Sequence, residues 1–164
     1  LECGACYAPL ILEQGEWYRV FFSMFLHFGA PHLINNILVL FVLGQRLEPA
    51  VGKLKFLLIY IAGGLGGNLI SLFWDIHTGD YSVSAGASGA VFALMGGMIY
   101  VIMRHRGRVA DLTIRQMLIM AAFSLYFGFA SEGVDNAAHA GGLVCGFLTA
   151  VIVYHPRKIW KIVP

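Results

Sequence analysis

Residues 84–103 read SAGASGAVFALMGGMIYVIM, twenty positions without one charged side chain. A helix crossing the hydrocarbon core of a bilayer needs roughly 17–25 apolar residues. This stretch meets that length with Ala, Gly, Leu, Met and Ile and shows no period-2 alternation, so it reads as a spanning helix and not as a strand. Four further stretches share its character: residues 32–47, 54–74, 112–129 and 137–154. The first of these is short, so its helix is expected to begin a turn earlier, near Phe28. Residues 1–27 differ. Pro9, Glu13, Gly15, Glu16 and Arg19 interrupt them, and WYRVFFSMFL (17–26) is amphipathic. That segment reads as one or two helices lying in the headgroup region, with Trp17 and Tyr18 as an aromatic anchor.

The composition agrees. Of the 164 residues, 59 % are hydrophobic and 12 % charged, against about 45–50 % and a quarter in ordinary soluble domains. Such a surface excludes a soluble domain, disorder, a collagen-like fibre and a disulfide-stapled mini-protein. The expected fold class is all-α, a polytopic transmembrane helix bundle in one domain over residues 1–164. Residues 1–27 form its interfacial loop, 28–155 a five-helix membrane core and 156–164 a cytoplasmic tail. Leu1 is not Met and no charged segment precedes an apolar core, so no signal peptide is expected and the chain reads as an excerpt of a longer one. The net charge of +2, with no basic patch interleaved with aromatics, implies no nucleic-acid partner. Cys3 and Cys6 make a lone CxxC, read as two ordinary loop residues or as a reversible disulfide; a four-Cys zinc site is excluded by three cysteines. The six histidines show no metal-binding spacing, and no cofactor or nucleotide motif is present. His27, His77, His105 and His155 read as loop or interface residues, and Trp74 and Trp160 as parts of interfacial belts.

Charge placement orients the bundle. With the N-terminus outside, ten of the eleven basic residues fall on the cytoplasmic side, and only Arg19 lies outside. That asymmetry sets the orientation, and the outward N-terminus with an inward C-terminus fits an odd number of spans.

Strongly polar side chains inside spans are costly and commonly functional. Here they gather at one depth. His32 and Asn36, four apart, share a helical face at the outer end of the first stretch. Ser88 is expected about one turn into the third, and His139 in the first turn of the fifth. Taken singly, each has a bland reading: Ser as a small packing residue, His as an interfacial group, Asn as interhelical glue. Together they supply a nucleophile, a base and oxyanion donors, the set that acyl transfer requires. Gly86, Gly89, Gly96 and Gly97 around Ser88, and Gly142 and Gly146 below His139, would let the two helices approach closely.

These residues resemble the rhomboid family of intramembrane serine proteases, with four motifs in order along nearly the whole chain. GEWYRVFFSMFLH (15–27) resembles the family's Trp-Arg loop and carries Arg19. HLINN (32–36) carries His32 and Asn36, GASG (86–89) the nucleophile motif with Ser88, and AHAGG (138–142) His139 and Gly142. The resemblance implies that Ser88 is the nucleophile and His139 its general base, a dyad without a carboxylate. It also implies that His32, Asn36 and the Ser88 backbone N–H form the oxyanion hole. Gly86 matches the motif's glycine, Ala87 precedes the nucleophile, and Glu48 falls where the family often has an acid at the inner end of a span, read here as structural. FASEGVDN (129–136) is the expected mobile cap over a wet cavity, with Ser131, Glu132, Asp135 and Asn136 as its polar rim. Two departures stand out. The family core has six spans, and the one missing here is expected before Leu1. Phe92 stands where some members carry a Tyr; it can still stack on His139, so activity is expected to survive.

The implied partners are a transmembrane protein substrate and the lipid bilayer, in an integral membrane protein of a bacterial inner membrane whose site faces the exterior. Two other classes would carry different signatures. A catalytically inactive relative binding transmembrane helices as a chaperone or trafficking factor would usually lack the Ser or the His. A transporter would show polar groups along the full depth or inverted repeats.

Overall fold

A computed structural model describes residues 3–131 and 133–155. Leu1, Glu132 and the tail 156–164 with Trp160, all named above, lie outside the described residues. The chain forms α1 (Ala8–Gln14), α2 (Tyr18–Phe22) with a 3₁₀ turn (Ser23–Phe25), α3 (Ala30–Val51), α4 (Lys53–Thr78), α5 (Ser88–Arg104), α6 (Ile114–Phe129) and α7 (Asn136–Val153). Two strands of two residues each, β1 (Arg108–Val109) and β2 (Leu112–Thr113), pair antiparallel in the α5–α6 connection, a hairpin the apolar pattern did not announce. This is a polytopic helical membrane protein. Leu54, Phe73, Phe129 and Ile152 are 69–75 % exposed, a degree of apolar exposure that hydrocarbon and not water satisfies.

The five expected helices are all present, with shifted ends. α4 and α7 are each long and apolar enough to cross a bilayer, and α2 with its 3₁₀ turn passes the same test jointly with α3, across an 87° bend. α5 and α6, with 17 and 16 residues, are shorter. The bend falls at residues 26–29, where Gly29 takes φ +118° and Pro31 then starts α3. α3 ends at Gly52, φ +90°, one residue before α4 begins. A reciprocal Thr113–Gln116 capping box opens α6.

α5 is the central helix, with 13 of its 17 residues buried. It meets α4 and α7 through small residues. A Cβ on Gly146 would lie 2.0 Å from the Ala93 carbonyl oxygen, one on Gly96 2.0 Å from that of Leu143, and one on Gly142 2.1 Å from that of Gly89. On α4, a Cβ on Gly63 would lie 2.3 Å from the Ala93 methyl and one on Gly67 2.7 Å from the Ala138 carbonyl oxygen. The three backbones therefore touch without intervening side chains. α6 contributes far less to the core, burying only Met117, Ala121 and Gly128.

At the opposite end of the bundle from Ser88, Arg46 of α3 grips the hairpin turn. Its Nε and one Nη donate to the two Asp111 carboxylate oxygens at 2.6 and 2.8 Å. That hydrogen bond holds the Asp111 carboxyl down to about 2. Glu48 sits half-buried nearby, and its carbonyl accepts the Gly52 N–H at 2.7 Å.

The glycine seam gives a direct test. Gly146→Ala forces two backbones apart and is expected to cost about 1–3 kcal/mol of stability. Gly44→Ala, whose Cβ would meet only the Phe56 ring at 3.6 Å, is expected to leave stability unchanged or slightly raised. Thermal unfolding of both variants in detergent reads the difference; equal midpoints would show that the seam does not hold the bundle.

Candidate active site

Ser88 is the first residue of α5, and not a turn inside a span as its position in the apolar stretch suggested. The reason lies in the segment before it. The Cys6 N–H donates to the Ser84 carbonyl at 2.8 Å, and the Ser84 N–H returns to the Cys6 carbonyl at 2.9 Å. Two residues on, the Gly86 N–H donates to the Ser23 carbonyl at 2.9 Å. Residues 84–86 thus spend their backbone groups on the N-terminal segment and the 3₁₀ turn, and cannot enter the helix. Gly86 has φ +150°, a conformation reserved for glycine, and a Cβ there would lie 2.7 Å from His32 Cε1. Ala87 is the N-cap residue of α5, and its N–H points at His27 Nε2 across 3.4 Å. The helix therefore begins with Ser88, and its first-turn N–H groups have no carbonyl one turn earlier in the helix to donate to.

Beneath this turn lies a polar network in an apolar setting. The buried Asn68 of α4 donates through Nδ2 to the Val20 carbonyl at 2.8 Å and to Ser23 Oγ at 3.0 Å. Arg19 is buried and donates to the Ala5 carbonyl at 3.0 Å and to the Glu16 carboxylate, whose hydrogen bond raises the guanidinium's pKa. Arg19 thereby fixes the residue before Cys6, and so bears on the Ser84 pairing; it takes no place beside Ser88. Asn68, Ser23 and Cys6 were not singled out as site residues from sequence. An Asn inside GGLGGNLIS was the available signal, since a buried amide in a span must find partners.

His139 is the fourth residue of α7 and is buried. Its Nε2 lies 2.8 Å from Ser88 Oγ, across 51 residues of sequence. Its ring stacks on Phe92, one turn into α5, with centroids 4.4 Å apart and planes within 17°. Among the described residues its Nδ1 has no hydrogen-bond partner. For Ser88 to donate to Nε2, the ring proton must sit on Nδ1. Gly142 lies one turn below, where α5 and α7 are in backbone contact.

The remaining residues border one cavity of about 980 Å³. His32 and Asn36 line its α3 wall, Phe123 and Phe127 its α6 wall, and Ser88 and His139 its polar end. The buried Asn36 donates one amide N–H to the His32 carbonyl at 3.0 Å, which fixes its side chain along α3. The His32 ring lies edge-on to His27 with centroids 5.2 Å apart. Gly133, Val134 and Asp135 of the expected cap border the same cavity. Glu48 is about 24 Å along α3 from His32 at 1.5 Å per residue, so it belongs to the other end of the bundle. The arrangement can pass a proton from a hydroxyl to an imidazole beside several N–H donors, in a cavity both polar and apolar.

Residues 14–156 match the family model described as "Rhomboid domain". The chain is 35 % identical to "Rhomboid protease GluP" of Bacillus subtilis over 90 % of its own length and 28 % of that protein's. It is 35 % identical to "Rhomboid protease AarA" of Providencia stuartii, covering 88 % of this chain and 59 % of that one. It is 33 % identical to "RHOMBOID-like protein 5" of Arabidopsis thaliana, covering 90 % of this chain and 48 % of that one. The chain thus spans between about a quarter and three-fifths of these relatives.

Cys6 reports on the segment that holds the Ser88 turn. Burial, with Asp135 and Asp75 adding to it and Arg19 opposing, pushes its thiol up to about 12. Since the thiolate is the reactive form, maleimide at pH 7–9 is expected to modify the exposed Cys3 and spare Cys6. Mass spectrometry after short exposure reads both sites; modification of Cys6 at the rate of Cys3 would show that the Cys6–Ser84 pairing is not closed.

Proposed function

The chain belongs to the rhomboid family, and from that membership we propose that it is a serine endopeptidase cleaving transmembrane segments of other membrane proteins near the outer leaflet. The observation that carries this reading is the 2.8 Å approach of His139 Nε2 to Ser88 Oγ at the open N-terminus of α5.

In the proposed reaction Ser88 Oγ attacks the scissile carbonyl carbon while its proton moves to His139 Nε2. The oxyanion of the tetrahedral intermediate is met by the Ser88 N–H, His32 and the Asn36 amide. His139 then gives its proton to the departing amine, the C–N bond breaks, and an acyl-Ser88 ester remains. Water, deprotonated by the same imidazole, attacks the ester; the C–Oγ bond breaks, His139 returns that proton to Ser88 Oγ, and the carboxylic acid leaves. His139 must be neutral at the start of each half-reaction. No carboxylate bonds its Nδ1 among the described residues, so the Phe92 stack is what fixes the ring plane.

The substrate must unwind before attack, because a helix hides its carbonyls in i→i−4 hydrogen bonds. Gly or Pro near the scissile bond lowers that cost, and such segments are the expected targets. Seven basic residues (Arg46, Lys53, Lys55, Arg104, Arg106, Arg108 and Arg115) sit on the ends of α3–α6 and the hairpin remote from Ser88. By the positive-inside rule that end faces the cytoplasm, and the dyad faces the exterior of a bacterial inner membrane.

A fluorophosphonate probe tests the reading in detergent. The wild type is expected to label, Ser88→Ala not at all, and His139→Ala more slowly by about 10²-fold or more. A folded wild type that does not label would favour the inactive relative that binds transmembrane helices, for which helix binding is then the assay.

A further inference from the structure

Among the described residues no carboxylate hydrogen-bonds the imidazole, yet one lies at the root of the helix that carries it. Asp135 is the N-cap residue of α7, four positions before His139. Its Oδ1 accepts the Ala138 N–H at 2.8 Å, and its backbone carbonyl accepts the His139 N–H at 3.1 Å. Its other carboxylate oxygen, Oδ2, accepts a 2.6 Å hydrogen bond from Ser71 Oγ of α4. Ser71 is itself buried. Both bonds that start α7 thus converge on one residue, and that residue is tied sideways to a second helix. The same turn presses the Ala138 carbonyl against α4, where a Cβ on Gly67 would lie 2.7 Å from it.

We infer that Asp135, held by Ser71, is a positioning residue for His139: it fixes the first turn of α7 so that the imidazole meets Ser88 in register. The inference rests on the catalytic reading above. Among the described residues the imidazole has one hydrogen bond, to Ser88, and one ring stack, to Phe92. The placement of the ring also depends on its backbone, and the backbone of this turn is held by Asp135. Misplacement of a catalytic group by about 1 Å can cost 10²-fold in rate. A carboxylate in a serine-histidine-aspartate triad orients the histidine by touching it; here the carboxylate acts one turn upstream, through the helix.

Charge and position separate in the conservative variant. Asn caps a helix about as well as Asp and offers Ser71 a hydrogen-bonding group, so Asp135→Asn keeps the geometry and loses the charge. The second-order rate of fluorophosphonate labelling, measured well below each variant's unfolding temperature, is expected to fall about 10-fold or more in Asp135→Ala and to stay within about 2-fold of wild type in Asp135→Asn. Ser71→Ala, which leaves the cap in place, is expected to fall by about 3-fold. Amide hydrogen exchange gives a readout apart from activity: Ala138 and His139 should lose protection in Asp135→Ala and keep it in Asp135→Asn. A labelled wild type with an equally labelled Asp135→Ala overturns the inference alone, as does Asp135→Asn failing as badly as Asp135→Ala, which would put the role in the charge. Should Asp135→Ala not fold, Ser71→Ala decides, and an unchanged rate there overturns it. A folded wild type that does not label removes the catalytic reading and this inference together.

Discussion

Backbone contact between α5 and α7 is the constraint on which the rest depends. A methyl group at Gly142 or Gly146 would lie within about 2 Å of a carbonyl oxygen of the facing helix. At that separation the two helices cannot slide or rotate without a clash, so the register between Ser88 and His139 is set by main chain and not by flexible side chains. α4 closes the trio through Gly63 and Gly67, and the same helix supplies Asn68 to one side of the dyad and Ser71 to the other. In a bilayer, where apolar side chains gain little by leaving lipid for protein, close packing of small residues and internal hydrogen bonds are what remain to hold helices together. This bundle uses both, and uses them at the same place.

The second constraint is where α5 starts. Residues 84–87 are small and uncharged and could have extended the helix by a turn. They do not, because Cys6 and Ser23 have already claimed the backbone of Ser84 and Gly86. Arg19 is the anchor of that arrangement, since it binds the carbonyl preceding Cys6. Arg19 thereby helps place Ser88 at a helix terminus, where N–H groups lack helical partners, instead of one turn inside, where they would be spent.

The helices were legible because apolar length is a one-dimensional property: each of the five stretches carries its own evidence, and the helices fall where the stretches are. Their ends were less legible. The start of α5 is decided by pairing with residues about 80 positions away, and the short hairpin at 108–113 by two positive-φ residues, Arg106 and Ala110, of types that do not advertise such conformations. The site divides the same way. Ser88, His139, His32 and Asn36 stood out because a polar group in an apolar run is conspicuous on its own. Ser23, Asn68 and Ser71 owe their importance to whom they meet. Asp135 was visible as a polar rim residue, but its bond to Ser71 joins positions 64 apart, and nothing in either neighbourhood points to the other.

The walls of the cavity are unequal, and Ser88 at its polar end is half-buried. Ser88 and His139 are carried by α5 and α7, which backbone contact locks to each other and to α4. α3 and α6 form the other walls; α6 presents Phe123 and Phe127 to the cavity and buries Met117, Ala121 and Gly128. Free energies of local opening follow buried contact, so both walls open at lower cost than the α4–α5–α7 trio. The Arg46–Asp111 fork joins α3 to the hairpin just before α6, at the end remote from Ser88. At the other end of α6 Gly128 is buried, and a Cβ there would lie 2.3 Å from Asn136 Oδ1 at the start of α7. The tightest packing thus lies between the helices that carry Ser88 and His139, and it follows from the glycines on their facing sides.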